Sequence, residues 1–319
     1  MDRGWRTAAL AFVVALASLA ASDAPPLAEM RWLAPGADPV AALGWQPSEC
    51  LFGGPAPVPR QQLVNIEIGR AAFRSPLALG GTAARAGISC ESCHRNGRTN
   101  PSFHFPGVSG APGTADVTSS LFSSHRGNGV IDPMPIPDLG APRDQLKVVP
   151  YPEKLPAFIR GLIVEEFDGP QPTPAVLAGL VEYVRSIRLD ICDARPAPVT
   201  APGYLLDAVR AVEVGAIVLA GGDRETALVM FAAARARLGR IDERYAGLAK
   251  SQALLRKSST DLADIEAMVR AGDPAAPGRL NAWRAGTSDL VGTLRREELR
   301  SLFNPQRLAA HAPLPSGAP

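Results

Sequence analysis

Cys90-Glu91-Ser92-Cys93-His94 constrains this chain more than any other stretch of its 319 residues. Two thiols one helical turn apart, followed at once by an imidazole, form the pattern that attaches a c-type haem. Each thiol can add to one vinyl group on the same edge of the macrocycle, and the adjacent histidine is then aimed at the iron. A chain built around such a group can carry unusually long loops, because the macrocycle acts as a core for irregular backbone. Residues 96–152 fit that description: they are dense in proline, glycine and serine and read as loops rather than sheet.

Three other uses of a Cys-x-x-Cys pair compete: a thioredoxin-like redox pair, half of a zinc site and a structural disulfide. A redox pair expects a βαβ setting at a helix start, whereas loops and helices surround this one. Zinc needs further cysteine or histidine at short spacing, and only His104 is close. The other two cysteines, Cys50 and Cys192, flank the segment as an even pair. A disulfide between them would close a long loop, worth ~4–5 kcal/mol in the chain-entropy model; two unpaired buried thiols are the alternative.

Export makes an oxidising compartment the relevant one. Arg3 and Arg6 precede an apolar run that ends in small residues near position 20, so residues 1–22 read as a signal peptide. The protein is therefore expected in the periplasm or otherwise outside the cytoplasm, with a membrane tether if the segment stays uncleaved. A net charge of only +2, with no basic stripe, speaks against nucleic acid as a partner.

Residues 23–60 form a Pro/Gly-rich arm without a sustained period. A haem domain over residues 61–195 begins with a short helix near Leu63, and further helices are predicted over 153–167 and 174–188. The last is marked by Thr173 as cap, Pro174 at the first helical position, and an apolar stripe of Leu177, Leu180, Val181, Val184 and Ile187. Residues 196–203 read as a linker, residues 204–305 as a helical bundle, and residues 306–319 as a disordered tail. Breaks in the bundle are expected at Gly221-Gly222, near Ser258, and over 273–278. Phe231, Tyr245 and Trp283 are assigned to its core.

Gly69-Arg70-Ala71-Ala72-Phe73 and Leu180-Val181-Glu182-Tyr183 resemble the two crossing helix faces of the cytochromes c, with the haem motif between them. The run from Gly69 to Pro76, then Ile88-Ser89-Cys90 and Glu165-Glu166-Phe167, resembles the bacterial di-haem cytochrome c peroxidases and MauG-like proteins. The resemblance covers about residues 63–188. It implies a cytochrome c-like haem domain with long loops, and with the bundle read from periodicity the expectation is an all-α fold in which that domain is followed by the helical bundle. That family carries two haem motifs; this chain has one, a departure that weakens the implication of peroxidase activity.

His94 leaves one axial position on the iron, and its occupant largely decides function. Met134, in a proline-stiffened loop, and His104 are the candidates, with His125 third. His125-Arg126, Arg95 and Arg98 are candidates to hold the haem propionates. The first functional reading is an electron-transfer protein with one haem c and a redox partner protein. A peroxidase-like enzyme acting on hydrogen peroxide, with Asp132 or Asp138 as acid, is the alternative; a non-catalytic haem sensor or assembly subunit is the third.

Overall fold

The computed structural model describes residues 27–51, 57–141, 154–188 and 195–311. The expected leader and Cys192 lie outside these residues. The described chain is mostly helical and its strands are two-residue pairings, as the all-α expectation requires. Among the described residues no helix is long and apolar enough to cross a membrane.

The arm contains more regular structure than its composition suggested. A 3₁₀ turn at Ala28–Trp32 leads to α1 (Pro39–Leu43), where the Asp38 carboxylate accepts the Val40 N–H at 2.9 Å, and then to β1 (Trp45–Gln46). Next come α2 (Arg60–Phe73), α3 (Pro76–Leu79), α4 (Gly81–Ala86) and α5 (Cys90–Cys93). The hairpin β2 (His94–Arg95) and β3 (Arg98–Thr99) follows, and within the long loops β4 (Thr114–Ala115) pairs with β5 (Met134–Pro135). The helix predicted over 153–167 is in fact two pieces, α6 (Leu155–Gly161) and a π turn at Leu162–Glu166. Thr173 caps α7 (Pro174–Ser186) as expected, its hydroxyl accepting the Val176 N–H at 3.2 Å.

Helices α2 and α7 cross at two glycines. A methyl group on Gly69 would overlap the Gly179 carbonyl oxygen, and one on Gly179 would lie 2.8 Å from the Asn65 carbonyl. Removing both side chains brings the backbones together, and the Phe73 and Tyr183 rings then pack beside the crossing with centroids 5.0 Å apart. Ile66, Ile68, Ala72, Val176 and Leu180 complete the buried layer.

Four long helices make the C-terminal half: α8 (Ala201–Ala220), α9 (Arg224–Arg244), α10 (Ala249–Ala271) and α11 (Ala276–Glu297). Each packs on the next, and α11 returns to α8. Phe231, Tyr245 and Trp283 are buried there. The Tyr245 hydroxyl donates to the Leu294 carbonyl at 2.7 Å and the Trp283 indole to the Ser258 carbonyl at 3.0 Å, so each polar tip has a partner.

Three sequence expectations are corrected. Residues 196–203 are no free linker: β6 (Ala197–Pro198) pairs with β1, and α8 already begins at Ala201, capped by Thr200. Ser258 does not break a helix, because α10 runs through it; the turn comes at Gly247, whose φ of +80° suits glycine. The tail expected to be disordered from 306 instead begins with α12 (Pro305–His311), held by a fully buried Leu308 that packs with Leu27, Ala42, Leu43 and Leu302. The halves also share packing, since Val214 of α8 and Met230 of α9 belong to the apolar layer of α2 and α7.

Candidate functional site

Helix α5 is a single turn, and its flanks hold it. The Ser89 N–H donates to the Ser92 hydroxyl at 3.1 Å, and the Asn100 amide donates to the Ser92 carbonyl at 2.8 Å. Directly after it, Asn96 and Gly97 take φ of 49° and 82° and form the two-residue turn between β2 and β3, the conformation for which Asn-Gly is favoured. There is no room for anything larger than glycine at 97, where a methyl group would come within 2.6 Å of the Ile187 side chain.

This hairpin fixes His94. Its Nδ1 lies 3.0 Å from the Pro137 carbonyl oxygen. A carbonyl can only accept, so Nδ1 carries the proton and Nε2 presents its lone pair. Burial pushes the imidazole down to about 4, against the opposing pull of the Pro137 carbonyl. At neutral pH the ring is therefore an uncharged, oriented donor suited to a metal. Pro137 is itself anchored: Ile136 N–H donates to Gly113, the Ile136 carbonyl accepts from the Thr99 hydroxyl, and Leu139 N–H donates to Gly97, all at 2.9 Å. Arg98 pairs with Asp138 at 2.5 Å across the same junction.

Cys90 and Cys93 are free thiols against the apolar layer of α2 and α7. Burial raises the Cys90 thiol to about 12 and moves Cys93 the same way. A redox pair or a thiolate metal site needs the opposite shift. Among the described residues no three His, Cys, Asp or Glu side chains gather to hold a bare metal ion. Two neutral thiols and one neutral imidazole on one apolar surface do fit a haem attached at its vinyl groups, which needs only axial donors from the protein. Leu121, Val130 and Ile131, on the loops beyond, leave large apolar side chains exposed.

The two candidates for the second axial position differ in setting. Met134 lies in β5 opposite Ala115 and is 65% exposed. His104 is half-buried, with its backbone N–H donating to Trp32 at 2.9 Å, and its Nδ1 is shut off from solvent without a hydrogen-bond partner. His125 is exposed and bonded through Nδ1 to Asp168 at 2.9 Å. The Ser124 N–H and the His125 contact hold Asp168 below its usual range. Of the proposed propionate ligands, Arg98 is engaged by Asp138, Arg95 donates to the Ala42 carbonyl, and Arg126 pairs with Glu165 and Glu166. Asp138 is thereby a partner of Arg98 rather than an available acid. Cys50 is disulfide-bonded, while Cys192, proposed as its partner, lies outside the described residues.

Sequence reasoning missed two features. One is Glu166, the last residue of the π turn: burial raises its carboxyl against the pull of Arg126, and Oε2 has no hydrogen-bond partner. Its sequence signal is the paired Glu165-Glu166 between apolar residues. The other is a buried ion network behind α5. Arg74 contacts Glu49 at 2.7 Å and Glu91 at 2.8 Å, while Arg70 bridges Glu49 and Asp207 at 2.8 and 2.7 Å. The Tyr183 hydroxyl donates to Glu49 at 2.8 Å, and Arg237 of α9 reaches Asp207 at 3.3 Å. Helix α5 is thus tied to the arm, to α2 and to the C-terminal half at once.

Comparison of the chain with protein-family models, with curated proteins and with solved structures returned no match.

Proposed function

We propose that this chain is an exported mono-haem c-type cytochrome that carries single electrons to or from a redox partner protein. In this reading a cytochrome c-like domain with long loops precedes a helical bundle, Cys90 and Cys93 form the two thioethers, and His94 is an axial ligand. The observation that carries it is the Nδ1–H of His94 donated to Pro137, which leaves Nε2 oriented and uncharged beside two unbonded thiols. Attachment adds each S–H across a vinyl double bond, so it consumes both thiols and releases nothing. The haem supplies the iron redox couple; the chain's own residues bind it, orient it and exclude water.

His104 is favoured as the second ligand, since a secluded nitrogen without a partner gains most from a metal bond, whereas Met134 is solvated. Spectra of the purified protein in both oxidation states test the assignment. A low-spin spectrum lost in His104→Ala supports it; a far-red ferric band lost in Met134→Ala transfers the role to methionine. Failure to bind covalent haem when made with haem-attachment machinery, with both cysteines intact, would refute the whole reading.

Glu166 lends the peroxide alternative one specific support, because a buried carboxyl with a raised proton affinity can act as acid or base at an open iron. A high-spin ferric spectrum that changes with peroxide in the native protein and not in Glu166→Gln would favour that alternative.

A further inference from the structure

Behind the attachment helix, on the side away from Cys90 and Cys93, a cleft of about 410 Å³ separates α3, α4 and α5 from the arm and α9. Its walls carry six arginines and three glutamates, an excess of three positive charges. Each glutamate already has a cation. Glu29 is paired with Arg244 at 2.9 Å, Glu91 with Arg74 at 2.8 Å, and Glu243 with Arg240 at 3.5 Å. Arg237 is paired in turn with Asp207 at 3.3 Å, so the excess rests on Arg31, Arg85 and Arg95. Arg31 and Arg85 have no side-chain hydrogen bond or ion pair among the described residues. Arg95 spends one Nη on the Ala42 carbonyl, a neutral group. Arg240 spends a second Nη on the Gly87 carbonyl at 3.0 Å while its guanidinium lies over the Trp32 ring, 5.5 Å from the centroid.

We infer that this cleft is a binding site for a small polyanion bearing carboxylate or phosphate oxygens. Guanidinium groups converging from several elements match such oxygens in planar, bidentate geometry and lose little rotamer freedom in doing so. The volume suits a metabolite-sized ligand. Arg31, Arg74, Arg85, Arg95 and the Arg237/Arg240 pair come from five separate elements or their ends, so their grouping is made by the fold and not by a run of sequence. The Trp32 and Tyr204 rings brace two of the cations, with Arg237 4.5 Å from the Tyr204 centroid, which holds the guanidinium planes in place before a ligand arrives. The site is separate from the haem surface, and its occupancy does not depend on the reading given above.

The test is calorimetric titration of the full chain with inorganic phosphate and, separately, with citrate, each against sodium chloride at matched ionic strength. Saturable one-to-one binding of either, absent with chloride, is expected; the anion that binds tighter identifies the oxyanion class. The double variant Arg31→Gln/Arg85→Gln removes two guanidinium groups that make no hydrogen bond or ion pair of their own, so the fold is expected to persist, and affinity is expected to fall by at least about tenfold. The inference is overturned if neither anion binds beyond the chloride control, or if the double variant, shown by circular dichroism to be folded, binds as tightly as the native chain.

Discussion

A histidine becomes a reliable metal donor when something else decides which nitrogen holds the proton. Here a backbone carbonyl decides it, and the carbonyl is positioned by the β2–β3 turn. Gly97→Val places a branched side chain at positive φ and into Ile187; stability should fall by about 1–3 kcal/mol, and chemical denaturation reads that loss. The same variant should weaken the His94–Pro137 bond, which, with haem bound as proposed, a shift in the axial-ligand bands would register; unchanged bands would argue that the carbonyl does not orient the ring. Ser92→Ala removes the hydroxyl that receives the Ser89 N–H, with an expected cost of about 1 kcal/mol. Under the proposed haem reading, Cys90, Cys93 and His94 are legible in the sequence because covalent attachment demands those residue types at that spacing. Pro137 is not, since every residue offers a carbonyl and only the folded loop shows which one is used.

Between helices, the decisive contact is the absence of side chains. Gly69→Ala must push α2 off α7, because the added methyl meets backbone rather than a movable side chain. A loss of about 2–3 kcal/mol in a urea titration is expected, and Gly179→Ala should cost a similar amount. The two together should lose less than their sum, since the second methyl enters a contact already opened. The Gly69/Phe73 and Leu180/Tyr183 faces could be read locally, as could the Thr173 cap. The helix through Ser258 could not. A Ser-Ser-Thr run has mediocre helix propensity, and the tertiary contact there, the Trp283 indole donating to the Ser258 carbonyl, comes from a residue 25 positions away. Helix α12 escaped notice for a related reason: one leucine among prolines and alanines shows no period, and its partners lie in the arm.

At the level of the whole molecule, the Glu49 network decides behaviour in acid. Burial alone would raise the Glu49 carboxyl, yet Arg74 and Arg70 hold it at about 2, below its ordinary 4.5, and Glu29 sits at about 2 for the same kind of reason under Arg244, Arg240 and Arg95. As pH falls, the unfolded chain takes up these protons first. Stability contributed by the pair is therefore intact above about 4.5 and lost progressively down to about 2. Denaturation midpoints measured at intervals across that window should decline steadily, and Glu49→Gln should flatten the decline while costing about 3 kcal/mol at neutral pH by leaving buried arginine charge less compensated. None of this network showed in the sequence, where Glu49, Arg74 and Asp207 are ordinary charged residues far apart. The arm that carries Glu49 also carries Leu27, Ala42 and Leu43, whose cover is Leu302 and Leu308 near the other end. Leu302 and Leu308 are the last of these five to be synthesised, so Leu27, Ala42 and Leu43 go without that cover until residue 308 has been made. A truncation before 305 should thus uncover Leu27, Ala42 and Leu43, detectable as early proteolytic clipping within residues 27–51.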